Sequence, residues 1–430
     1  MMPRRAQRRA QEAAQQPVVR RHRPDYRIIL YTGLLMLLGL IIMYAIGPQR
    51  ANVLNNAYGT DFYTDTYFFF KQTFSLLVAL GAFIALAFTP MELLKKYAKT
   101  LLYVGIGACV VLAIAGWTGL GIAQCSLGAC RWFDLGPLGS LQPAELLKFG
   151  LLLFVAGFLG YRVNQGLTND LYKTIIPLVG LVLLCVLFVI GIQKDMGTGI
   201  SMLAMIASML WVGGVDIKIG GLLLGGAVIM GILLIVIAPH RVERIATFLE
   251  GDASQVDDAS NYHIAHAKIA IGSGGLLGVG IGNSVQATGY LPEAINDSVF
   301  AIMGETFGFV GLTLILVLFT ALLLRILRLI DHLNDNWMKL IVAGVFGWLA
   351  SHVILNVAAM IGVFPLTGIT LPLLSFGGTS MLFIAAALGL AFQLSRYTFH
   401  GSVNKENSYE NLGSRRGVRR TRYASGRGTS

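Results

Sequence analysis

The stretch TIIPLVGLVLLCVLFVIGI, residues 174–192, contains no Asp, Glu, Lys, Arg or His. Its length matches the roughly 20 residues that a helix needs to cross about 30 Å of hydrocarbon. Further segments with few charges can be read at 28–46, 68–89, 100–119, 145–161, 197–214, 218–238, 298–324, 338–361 and 379–395. Over all 430 residues the chain is 55% hydrophobic and 13% charged, with 51 glycines. A soluble domain carries about 25% charged residues. That deficit excludes a soluble enzyme, a disordered scaffold and a disulfide-rich secreted module. The fold class is all-α, a polytopic membrane protein of about ten transmembrane helices.

The net charge of +11 belongs to topology. Eight Arg precede the first span, seven Lys or Arg follow residue 404, and ten more fall in connections on that same side. By the positive-inside rule this places both termini in the cytoplasm. Positive charge so placed meets anionic headgroups, and nucleic acid is not an expected partner. Residues 1–27 and 397–430 read as basic, disordered cytoplasmic tails flanking a membrane domain at 28–396. No short apolar stretch with a small-residue cleavage site follows the first 27 residues, so the opening span is expected to stay in the mature protein.

Three outward regions stand out: 47–67, 120–148 and the long connection 239–297 between spans seven and eight. The eight basic residues on this side, against the charge preference, are Arg50, Lys71, Arg131, Lys148, Lys194, Arg241, Arg244 and Lys268. Acidic neighbours include Asp134, Glu145, Asp195, Glu243, Glu293 and Asp297. Charges at membrane depth are costly, and a functional reading is the default where they recur. Glu145 and Lys148 share a helical face three residues apart, as a self-neutralising pair or as a ligand-facing cation with a tuning carboxylate. Arg241 and Arg244 repeat that spacing, as interfacial anchors or ligand contacts.

The glycine-rich run IGSGGLLGVGIGN (271–283) reads either as backbone amides able to cradle a phosphate or as tight packing. His263 and His266 have helical spacing compatible with a metal but lack a third ligand in view. Asp297 lies at the entry to the eighth span, as a helix N-cap with Ser298 or as a general base. Glu305 reads as a buried hydrogen-bonding or pairing residue, and Gly304, Gly308 and Gly311 as packing positions. Cys109 and Cys185 are apolar packing residues. Cys125 and Cys130, in an outer loop, form either a disulfide or two free thiols.

Four motifs then resemble the SEDS family (shape, elongation, division and sporulation) in the family's order. They are Gln142-Pro143-Ala144-Glu145 with Lys148, Gln193-Lys194-Asp195-Met196-Gly197-Thr198, IAIGSGGLLGVGIGNSVQATGYLPEA at 269–294, and PLTGITLPLLSFGGTS at 365–380. Gly282-Asn283-Ser284 and Tyr290–Ala294 look more like the FtsW division branch than the RodA elongation branch. The resemblance implies a peptidoglycan glycosyltransferase that polymerises lipid II at the outer face of the plasma membrane. Its implied partners are a class B penicillin-binding transpeptidase and other divisome membrane proteins.

The family's essential acid falls on Asp297, and its functional Arg, Glu and Lys fall on Arg131, Glu145 and Lys148. A substrate-binding set of Gln142, Arg131, Glu145, Lys148, Lys194, Asp195, Arg241, Arg244, Lys71 and Glu293 follows from the outward charges and these motifs. A divalent cation, Mg or Mn, is expected at most between Asp297 and a pyrophosphate, without a dedicated cage. This chain departs from the family pattern at His263, Ile295, Asn296, Ser298, Thr306 and Lys194. The alternatives are a lipid II flippase, an elongation-type polymerase and a non-catalytic scaffold for a transpeptidase.

Overall fold

The computed structural model describes residues 23–126, 129–136, 139–236 and 259–398. The expected tails, apart from a few residues at their inner ends, lie outside the described residues, as do Arg241, Glu243 and Arg244. Among the described residues eight helices are long and apolar enough to cross a membrane. They are α1 (Tyr26–Tyr58), α2 (Tyr67–Phe88), α3 (Met91–Thr118), α4 (Pro143–Asn164), α5 (Leu171–Ile192), α9 (Val299–His332), α10 (Asn336–Met360) and α11 (Gly378–Leu394). Two further apolar helices, α6 (Met196–Val212) and α7 (Ile217–Val236), fall on two of the other expected segments. One further helix, α8 (Ala259–Ser273), belongs to the long connection.

The bundle has two polar ends. At one, the Asp25 amide donates to Ser395 Oγ at 2.8 Å and Asp25 pairs with Arg325. Lys95 meets Asp335 at 3.6 Å, and Asn336 donates to Asn164 at 2.7 Å. Residues 25 and 395 therefore lie at the same end. Three aspartates at this end start helices: the Asp25, Asp170 and Asp335 side chains accept from amides of the first turns of α1, α5 and α10. An acceptor there satisfies donors that hydrocarbon could not.

The opposite end carries the connections with chemistry. It also holds the only sheet among the described residues, three antiparallel strands β1 (Ala123–Ser126), β2 (Ala129–Asp134) and β3 (Ser140–Leu141). Cys125 and Cys130 face each other across β1 and β2 and are joined as a disulfide. This staple rests on the end of α3, where a Cβ at Gly116 would lie 2.6 Å from Cys130 Sγ.

Small residues set the helix crossings, since lipid supplies no hydrophobic drive between helices. A Cβ on Gly105 of α3 would sit 2.7 Å from Leu147 Cα, and one on Gly150 of α4 2.8 Å from the Leu101 carbonyl carbon. Gly389 of α11 meets the Phe83 backbone of α2 at 2.3 Å in the same sense. Helices α10 and α11 are the most enclosed, while α2 turns Phe70, Phe74, Leu77 and Ile84 outward, as a lipid-facing helix does.

Candidate active site at the loop-rich end

The long connection is organised by a break in α9. Gly308 adopts φ 67° and ψ −168° inside the helix. That break frees carbonyls, and the glycine-rich run satisfies them: Val279 N donates to Glu305 O at 2.9 Å and Gly280 N to Thr306 O at 3.1 Å. In return Phe309 N and Val310 N donate to Gly275 O and Leu276 O. A Cβ on Gly278, at φ 82°, would lie 2.2 Å from Thr306 O. The amides of Val279 and Gly280 are thus spent on α9, and Gly274, Gly278 and Gly308 pack against backbone.

Glu305 anchors the next segment. Its carboxylate accepts from the Ser284 hydroxyl, from Val285 N at 2.9 Å and from Gln286 N at 3.2 and 3.3 Å. Buried at 2% exposure, it is a hydrogen-bonding residue, as its position suggested. Gln49 of α1 holds the same segment through the Gly282 and Ser284 carbonyls, at 3.0 and 3.1 Å. His266 bonds Gln286 at 2.7 Å and His263 bonds Ser298 Oγ at 2.6 Å. The two histidines therefore serve different neighbours, and no group of three His, Cys, Asp or Glu that could hold a metal occurs among the described residues.

The chain then turns into α9 at Asp297. Glu293, exposed and at φ 48°, takes a bond from the Asn296 side chain, and its carbonyl accepts from Asn296 N and Ser298 N. Ser298, not Asp297, occupies the N-cap position of α9, and its hydroxyl donates to Pro292 O at 2.8 Å. Asp297 is half-buried just before the cap, and its main-chain oxygen accepts from Asn356 Nδ2 at 2.7 Å.

Three polar assemblies lie at the same end. In the first, Lys148 donates to Glu145 Oε1 at 2.8 Å, contacts His352 Nε2 at 3.2 Å and lies 4.5 Å from the centre of the Trp348 ring. Both partners are buried, Lys148 at 0% exposure. The self-neutralising pair is what this geometry contains. In the second, the Asp195 side chain caps α6 through Thr198 N at 2.9 Å and also accepts from Thr198 Oγ1 and from Gln142 Nε2 at 2.8 Å. In the third, Arg131 of β2 donates through Nε to Gln193 O at 3.2 Å and through Nη2 to Lys194 O at 2.8 Å. Lys194 is half-buried at φ 55°, so Arg131 braces a turn that its neighbour enters in an uncommon backbone state.

All of this converges on residues 367–370. A Cβ on Gly197, beside the Asp195 cap, would lie 2.8 Å from Thr367 O. Asn356 holds Ile369 O at 2.7 Å, and His352 Nδ1 reaches Thr370 O at 3.4 Å. The structure so brings Gln142 to Asp195, Arg131 to Lys194 and Glu145 to Lys148, and links these pairs through 367–370 to Asp297. Lys71 stays on the exposed start of α2, 3.4 Å from Tyr67 Oη. Sequence reasoning missed Trp348, His352 and Asn356. The signal was present in SHVILN (351–356), polar side chains one turn apart inside an apolar span.

Comparison with known proteins bears on this arrangement. Residues 26–400 match the FtsW/RodA/SpoVE family, described as cell cycle protein. Stage V sporulation protein E of Bacillus subtilis is 31% identical over 87% of this chain and 98% of its own length. A probable peptidoglycan glycosyltransferase FtsW of Saccharophagus degradans is 31% identical over 85% of this chain and 92% of its own. Among solved structures, a chain from a peptidoglycan synthase complex, described as coordinating polymerization and crosslinking, superposes with a TM-score of 0.64. It is 25% identical and the match covers 87% of this chain and 98% of that one. A point mutant of the rod shape determining protein RodA of Thermus thermophilus superposes at 0.61, with 24% identity over 88% and 99% of the two chains.

Proposed function

The chain belongs to the FtsW/RodA/SpoVE family of cell cycle proteins and is a peptidoglycan glycosyltransferase; we propose that it polymerises lipid II in cell division, at the outer face of the plasma membrane, with Asp297 as general base. The observation that carries this reading is the setting of Asp297. It is half-buried at the loop-rich end, the cap position of α9 belongs to Ser298, and its peptide is pinned by Asn356.

In the reaction, Asp297 takes the proton from the acceptor's sugar hydroxyl as that oxygen attacks the donor's anomeric carbon. The new glycosidic bond forms as the bond from that carbon to the polyprenyl diphosphate breaks, and the diphosphate leaves with the electron pair. A single displacement inverts the anomeric centre. Arg131 and Lys194, half-buried at the same end, are the cations we assign to the developing charge on the leaving group, with Arg241, Arg244 and Lys71 as further contacts. Glu145, Lys148, Gln142 and Asp195 set the shape of this surface from behind, because they are buried and bonded to one another or to their own helices. Glu293 lies at the exposed rim, beside Asp297. A magnesium or manganese ion arriving with the diphosphate would need only one protein carboxylate, which Asp297 supplies, and would offset the charge of the leaving group.

The FtsW names among the relatives support the division role, and the synthase complex among the structural neighbours supports a class B penicillin-binding transpeptidase as partner. The test is reconstitution with the cognate transpeptidase, its crosslinking site blocked, and lipid II as substrate. Wild type is expected to yield glycan polymer, and Asp297→Asn to fold and bind the partner but yield none. Equal polymer from both would remove Asp297 from the reaction. No polymer from wild type, with partner bound, would favour lipid translocation, which a flippase assay then measures.

A further inference from the structure

One face of α10 carries Trp348, His352 and Asn356, each one turn from the next. Trp348 lies against the Lys148 ammonium at 4.5 Å, and His352 Nε2 sits 3.2 Å from Lys148 Nζ. An ammonium only donates, so Nε2 is the acceptor; the proton of a neutral ring then resides on Nδ1, which faces Thr370 O. Asn356 continues the ladder. Its two neighbours, Asp297 O and Ile369 O, both at 2.7 Å, are acceptors, which fixes the amide with Nδ2 toward them. Adjacent carbonyls, Ile369 and Thr370, are thus gripped by residues one turn apart, and one of those residues also grips Asp297.

We propose that Asn356 is a positioning residue for Asp297, and that with His352 it ties the general base to the buried Glu145–Lys148 pair through residues 369–370. This rests on the reading of Asp297 as the base. The other atom of the same amide strengthens the case. Asn356 is 1% exposed, and its Oδ1 accepts no hydrogen bond among the described residues. A buried unpaired acceptor is destabilising, so the amide costs stability on one side while it orders two segments on the other. An apolar residue of similar size would relieve the first effect and abolish the second.

The experiment compares wild type, Asn356→Leu and His352→Phe in the reconstituted complex, reading polymer synthesis, thermal midpoint and deuterium uptake by peptides spanning 293–300 and 367–372. Asn356→Leu removes one unpaired acceptor but strips the donor from Asp297 O and Ile369 O, so it is expected to lower the midpoint modestly. It is also expected to lower kcat on lipid II by about 10- to 100-fold, since small misplacements of a reacting group cost that much, and to leave KM within about twofold. Deuterium uptake is expected to rise in both peptides with Asn356→Leu, and mainly in 367–372 with His352→Phe. Unchanged uptake in 293–300 with Asn356→Leu would overturn the proposal, whatever the polymer yield. So would unchanged kcat, or uptake raised throughout the chain rather than in these two peptides, which would mark a purely structural residue. Because uptake needs no turnover, an inactive wild type would count against the polymerase reading while the exchange result still decided whether Asn356 holds Asp297.

Discussion

Lys148 has no exposed surface, one carboxylate at 2.8 Å and an aromatic face beneath it. A buried ion pair of this kind contributes little net stability, but removing one partner leaves the other charged and uncompensated, at about 3–5 kcal/mol. Lys148→Met should therefore lower the thermal midpoint sharply. Glu145→Gln combined with Lys148→Met should recover most of the loss. Scanning fluorimetry of detergent-solubilised protein checks both, and additive losses would show that the pair is not coupled. The spacing of Glu145 and Lys148 made the pairing legible from the sequence. What the spacing could not give was direction: the surface they face is built by α10, some 200 residues on, and no local pattern announces that His352 and Trp348 will enclose them. Asp297 was legible as a boundary residue with two alternatives open. Only the geometry of Pro292 and Ser298 moves the N-cap one residue past it.

Among the elements, the long apolar helices are the most readable feature, because a bilayer demands about 20 uninterrupted apolar residues wherever a helix crosses. The β-sheet was invisible for the converse reason. Its strands are two to six residues long and made of ordinary loop residues. The break in α9 was equally hidden, since Gly308 sits in an apolar run where glycine reads as a packing position. That break predicts a contrast between two glycines of the same run. Gly278→Ala would place a methyl 2.2 Å from Thr306 O at φ 82°, and should cost at least about 2 kcal/mol. Gly272→Ala, in α8 with nothing within 4 Å, should be neutral or stabilising by a few tenths. A second prediction concerns the hairpin. Arg131 follows directly on Cys130, so the Cys125–Cys130 disulfide holds the strand from which Arg131 braces Gln193 and Lys194. A membrane-impermeant reductant should lower polymer yield several-fold in wild type. Cys125→Ser with Cys130→Ser should start low and ignore the reductant; equal yields throughout would show that the brace survives without its staple.

At the scale of the whole molecule, the two ends of the bundle differ in kind. The end bearing residues 25 and 395 closes with ion pairs, helix-capping aspartates and short turns. The other end gathers the disulfide hairpin, the kinked glycine segment and the hub at 367–370 around Asp297. A polymerase that releases product into the cell wall requires that second end to face outward, whereas the charge asymmetry alone only orients the first. Four native cysteines leave this open to direct measurement, since Cys109 and Cys185 are buried and Cys125 and Cys130 are joined. Tyr58→Cys, 69% exposed at the last residue of α1, should react with a membrane-impermeant maleimide in intact spheroplasts. Tyr172→Cys, 79% exposed at the start of α5, should react only after permeabilisation. Were the pattern reversed, every contact described above would stand, yet Asp297 would face the cytoplasm, away from the wall into which the proposed polymer is released. The fold would survive that outcome; the assignment of a polymerase working on the wall side would not.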